Sequence, residues 1–149
     1  MKRANVLNFT QFLANLKLNK FDKETRAAII SNSLIANKVT KEFNESIDEA
    51  RKRYYEGIET EINDLANYRK KFASASSEEK IEIEKDCITN CSNALAAEQE
   101  FAEFVNKLGN ENVDYTFTKI NRDSFVDQCV EADIDITVNT LELLNELFN

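Results

Sequence analysis

From Ile35 to Phe72 one apolar stripe runs along the chain: Ile35, Val39, Phe43, Ile47, Ala50, Tyr54, Ile58, Ile62, Leu65, Tyr68 and Phe72. Its mean step is about 3.7 residues, the period of one face of an α-helix. The stripe keeps its phase through Gly57, so the pattern predicts one helix from Lys23 to about Ala73. Such a helix would be about 75 Å long at ~1.5 Å per residue. A step above ~3.5 argues against a long left-handed coiled coil. Asp22 precedes the helix as an N-cap and Glu24 sits in its first turn, where a carboxylate meets free backbone amides.

The stretch 74-SASSEE-79 is the clearest punctuation. Ser76 with Glu79 reads as a capping box, in which hydroxyl and carboxylate each accept from the other residue's amide. A second helix then runs from about Ser77 to Leu108 on Ile81, Ile88, Cys91, Leu95, Ala102 and Val105, and Gly109-Asn110 reads as its stop. A short turn makes the two helices antiparallel neighbours. With the turn near residue 75, Ile62 should face Ile88, Tyr54 Leu95 and Ile47 Ala102. The same register sets Arg51 and Arg53 near Glu98 and Glu100, and Arg69, Lys70 and Lys71 near Glu79 and Glu82.

The ends of the chain are shorter-ranged. Phe9, Phe12, Leu13 and Leu16 mark a first helix over Val6–Leu16, with Asn5 or Asn8 as its N-cap. Residues 113–118 alternate apolar with polar, as do residues 134–138, which is the period of short strands. Two such strands can pair into a small ribbon, marginal by itself. Asn121 opens a helix with Phe125 and Cys129, and Thr137 or Asn139 caps a last one with Leu141, Leu144, Leu147 and Phe148. The expected fold is therefore mainly α and a single domain. A helical hairpin over 23–108 carries a small head made by residues 1–22 and 109–149, with a two-stranded β ribbon as an open element. The head should cover Ala28, Ile29, Ile30, Leu34 and Ile35, which the shorter second helix cannot reach.

Composition narrows the function classes. The chain has 149 residues, no Pro, two Gly and no His. Glycine-rich phosphate loops are thereby excluded, and so are the usual general base and the commonest metal ligand. Three cysteines, an odd number, point to a reducing, cytoplasmic compartment rather than to a disulfide framework. No apolar run reaches the ~20 residues of a membrane span or the core of a signal peptide. The net charge of −8 is uneven: residues 1–75 carry 14 basic and 10 acidic side chains, residues 76–149 carry 5 and 17. An acidic chain binds nucleic acid poorly, and the asymmetry suggests that the two halves pack together.

Candidate chemistry is thin. Cys87 and Cys91 share a helix face at i, i+4, but a structural zinc site needs four ligands and no second pair or His is present. They read as core thiols. The acidic run Glu78, Glu79, Glu82, Glu84, Asp86 reads as a solvated face. Arg51–Arg53 and Arg69–Lys71 share one face with tyrosines between them, but the hairpin supplies acidic partners for both. No catalytic, cofactor-binding or metal residue, no cofactor and no small-molecule substrate is indicated. The candidate interface is Tyr54, Tyr55, Ile58 and Tyr68, apolar surface that a single shorter partner helix leaves uncovered.

Two segments, 9-FTQFLANLKLNKFDKETRAAI-29 and 136-ITVNTLELLNELF-148, resemble small helical-hairpin proteins of unknown function encoded by phages and prophages. The resemblance implies a virion, assembly or host-interaction role and supplies no catalytic residues. The sequence reading is a non-enzymatic interaction or structural protein with a protein partner, itself included, as a homo-oligomer. Two alternatives stand beside it: an acidic inhibitor that occupies a basic, nucleic-acid-binding site of a host protein, and a helical carboxylate-metal protein.

Overall fold

A computed structural model describes residues 1–149. The fold is mainly α, as the patterning predicts. Seven helices follow in order: α1 (Arg3–Asn15), α2 (Lys23–Tyr55), α3 (Glu59–Ser74), α4 (Ser77–Asn90), α5 (Ser92–Asn110), α6 (Arg122–Glu131) and α7 (Val138–Leu143). Short 3₁₀ turns lie at Leu18–Lys20 and Asn145–Leu147. Contacts divide the chain into two compact units, Met1–Asn44 with Leu108–Asn149, and Glu45–Lys107. The boundary falls inside α2, so the head takes about the first six turns of the expected hairpin helix, to Asn44, and Leu108, not residues 1–22 and 109–149 alone.

Each long helix of the expected hairpin is interrupted, which corrects the continuous helices read from periodicity. Gly57 has φ +80° and follows the end of α2. This is the left-handed position that ends helices and that glycine takes without a Cβ penalty. Tyr54, Ile58 and Ile62 keep their spacing across the break, which is why periodicity alone did not register it. The second break is at Cys91, φ −124° and ψ 30°. Here Glu61 of α3 inserts its carboxylate at the start of α5, accepting from the Asn93 amide at 3.0 Å and the Ala94 amide at 3.2 Å. An acceptor inserted into the helical ladder is a recognised cause of a kink. Gly109, expected as a stop, lies inside α5, which runs to Asn110.

The caps expected at Asp22, Ser76, Asn121 and Thr137 form, whereas α1 starts earlier than expected, from Lys2 and with no side-chain cap, so neither Asn5 nor Asn8 caps it. Asp22 Oδ1 accepts from the Thr25 amide at 2.8 Å, and the Ser76–Glu79 box is complete in both directions. Asn121 and Thr137 cap α6 and α7 through the Ser124 and Thr140 amides. Each such cap is worth about 1 kcal/mol.

The head holds the main core. Val6, Phe9 and Leu13 of α1 pack with Ala28, Ile29, Ala36 and Val39 of α2, and with Phe117, Ile120, Phe125, Cys129, Leu144, Leu147 and Phe148. Phe9 meets Phe117 edge to face at 5.8 Å, and Phe125 lies between Phe21 and Phe148 at 5.6 Å from each. The β ribbon does not form. Instead the alternating segment 113–118 is held by helices and chain ends. The Val113 amide donates to the Met1 carbonyl, and Thr118 exchanges two hydrogen bonds with the buried Asn32 side chain. Only isolated bridges occur, Lys2 with Asn112 and Ile120 with Phe148. Residues 134–138 link two helices: Asp133 takes φ 53° and the Ile134 amide reaches back to the Cys129 carbonyl at 2.9 Å, closing α6.

Candidate interaction surface

The unit Glu45–Lys107 has a small core. Leu65, Cys91 and Ala94 are buried together, with Ile62, Tyr68, Cys87 and Leu95 partly buried around them. Glu61 and Asn93 lock α3 against α5, the second contact being Asn93 Nδ2 to Glu61 Oε1 at 2.7 Å. The Asn93 side chain first, then the Ala94 and Asn93 amides, hold the Glu61 carboxyl below its ordinary pKa. Asn90 Nδ2 donates to the Tyr68 hydroxyl at 3.1 Å, and Arg69 forks onto Glu98 with bonds of 2.7 and 2.5 Å.

These contacts replace the expected charge register. Glu98 takes Arg69, not Arg51 or Arg53. Arg51 lies over the Phe101 ring and Arg53 over the Tyr54 and Phe104 rings. Near the turn, Lys80 lies over Phe72 and Glu79 is engaged in the cap of α4. The two interruptions shift the pairing by several residues, because each adds backbone that does not advance at the helical rate.

Beyond that core the hairpin tip is thinly covered. No residue between 66 and 90 is buried. Helix α4 spans 14 residues and buries none of them. Isolated helices of this length are marginal in water and draw most of their stability from a packed face. Yet α4 carries Ile81, 70% exposed, and Ile88, 58% exposed, seven residues apart on one face. Phe72 of α3 is 40% exposed. Between them opens a groove of about 240 Å³ lined by Leu65, Tyr68 and Phe72 on one wall and Ile83, Cys87 and Ile88 on the other. Arg69 stands on the α3 wall and Glu84 on the α4 wall.

The expected interface residues fall in different places. Tyr68 lines this groove. Tyr54 and Tyr55 are half-buried against Phe101, at 6.2 and 5.6 Å between ring centres, so α5 covers much of the surface expected to be open. Ile58 is half-buried at the start of α3. Sequence reasoning assigned Ile81 and Ile88 to the stripe facing the first helix, and the interruption at Cys91 turns them outward.

Cys87 is half-buried in the groove and Cys91 is buried beneath it. Burial raises the Cys91 pKa, and burial pushes the Cys129 thiol in the head up to about 11. No three His, Cys, Asp or Glu side chains converge where a metal ion could be held. No helix is long and apolar enough to cross a membrane. The chain matches no protein family model, no curated protein and no solved structure.

Proposed function

We propose that this chain is a non-enzymatic interaction or structural protein that works by docking its hairpin tip, residues 66–90, onto another protein surface. One observation carries the reading: α4 presents a capped helix with an isoleucine face and no buried residue. Of the apolar side chains of α4 only Ile83 and Cys87 are even half-buried, against α3, so the helix costs backbone entropy with little return from packing, and a docked partner supplies the rest. The absence of His, and the burial of Cys91 and Cys129 that raises their thiol pKa values, support a role without covalent or acid–base chemistry. The likeness of both chain ends to phage and prophage hairpin proteins makes a virion, assembly or host-interaction setting the one we propose.

The test is a photo-crosslinking residue placed singly at Ile81, Ile88 and, as a control, Val138, which is 72% exposed in the head. In the native host, discrete adducts are expected from positions 81 and 88 and none from 138. Absence of adducts from the tip, or equal adducts from all three positions, would overturn the reading.

A further inference from the structure

We infer that the surface docked on the tip is the tip of a second copy, related by a twofold axis, an inference that rests on the preceding reading. The first reason is charge. Residues 66–90 carry five basic side chains (Arg69, Lys70, Lys71, Lys80, Lys85) and five acidic ones (Glu78, Glu79, Glu82, Glu84, Asp86), so the tip is neutral in a chain of net charge −8. Two copies therefore meet there without the repulsion that the rest of the surface imposes.

The second reason is where those charges stand. Basic residues 69–71 cluster at the end of α3, and four of the five acidic residues lie from the second position of α4 to Glu84. Within the chain, Lys70, Glu82, Glu84 and Asp86 form no ion pair. A twofold axis through the groove sets the α3 edge of each copy against the α4 edge of the other. Lys70 and Lys71 of each copy then come close to the acidic α4 of the other, with Glu84 at the groove edge, twice over, as an isologous interface requires.

The third reason is shape. The same surface bears both the groove and the isoleucines 81 and 88 that project beside it. A self-complementary surface needs projection and recess on one face, and this face has both. Packing of the two tips also buries Phe72 and the otherwise uncovered face of α4. Flanking charges then set the orientation and exclude a parallel arrangement, in which like edges would meet.

The test is a charge exchange read by sedimentation equilibrium at low salt. One variant carries Lys70→Glu and Lys71→Glu, the other Glu82→Lys and Glu84→Lys. All four side chains are exposed and outside the capping box, and circular dichroism verifies that both variants fold. The unaltered chain is expected at twice its 17.1 kDa. Each variant alone should dimerise at least tenfold more weakly. An equimolar mixture should recover the dimer, since each variant then meets its opposite, and the recovery should fade in high salt. A monomer mass for the unaltered chain up to high micromolar concentration would overturn the inference. If crosslinks from position 88 then join a different protein, the docking role of the tip survives and only the second copy is lost. A dimer indifferent to both charge variants would overturn the twofold arrangement.

Discussion

Asn32 is fully buried in α2, and its side chain holds an extended backbone as a neighbouring strand would. Its Nδ2 donates to the Thr118 carbonyl at 2.9 Å and its Oδ1 accepts from the Thr118 amide at 2.8 Å. Replacing Asn32 with Leu keeps the branching of the side chain, in a somewhat larger volume, and removes both hydrogen bonds. The orphaned amide and carbonyl of Thr118 are part-buried, so each costs about 1–2 kcal/mol, below the full penalty of a buried group. Added apolar burial offsets part of that, leaving a net loss of about 1–3 kcal/mol. Ser31→Ala is the control. Its hydroxyl stands 3.5 Å from Thr118 Oγ1 in an exposed contact, and its removal should stay within about 0.5 kcal/mol. Urea unfolding followed by far-ultraviolet circular dichroism reads both. If Asn32→Leu costs no more than Ser31→Ala, residues 113–120 are not clamped to α2 and the head is wrongly described.

Gly57→Ala should cost about 1–2 kcal/mol, the price of a Cβ at positive φ, although nothing lies within 4 Å of the new methyl; Gly57→Asn should cost less, and a gain of about 1 kcal/mol with Ala in urea unfolding would mean α2 and α3 are continuous. Acid should expose the Glu61 clamp: its pKa is held down, so the stability it adds is full at neutral pH and is lost as pH falls through the carboxylate range. Glu61→Gln should flatten the acid limb of the urea midpoint, and an unchanged limb would contradict the clamp. The buried Cys129 thiol, with its pKa near 11, works in the other direction. Its stabilising effect holds below the ordinary thiol pKa and is lost as pH rises towards 11, so Cys129→Ala should remove part of the alkaline decline. In native protein a thiol reagent should modify half-buried Cys87 before Cys91 and Cys129, and equal rates would place the thiols wrongly.

What the sequence made legible was local. Caps at Asp22, Ser76, Asn121 and Thr137 rest on short-range hydrogen bonds between residues three apart, and all four form. Helical periodicity likewise set the fold class. The interruptions were not legible for two different reasons. Gly57 was visible, but the stripe resumed in phase beyond it. The kink at Cys91 depends on Glu61, 30 positions earlier in the chain, and no local pattern reports so distant an acceptor. Alternation at 113–118 was real, since Phe117 is buried and Thr118 is not. Its backbone partner is a helix side chain, Asn32, and alternation does not distinguish that from a strand. The candidate surface was missed for the same reason as the kink: the direction in which Ile81 and Ile88 point follows from the break.

The central claim is that α4, whose apolar packing within the chain stops at half-buried Ile83 and Cys87, buries its isoleucine face only when the tip is docked on a second copy. Amide hydrogen exchange of residues 77–90, measured as protein concentration rises, tests it most directly. Protection of the α4 amides should grow at least tenfold with concentration, while Ile29 and Val39 in the head core stay unchanged. Exchange in α4 that is independent of concentration, or protection that rises equally in the head, would contradict the account.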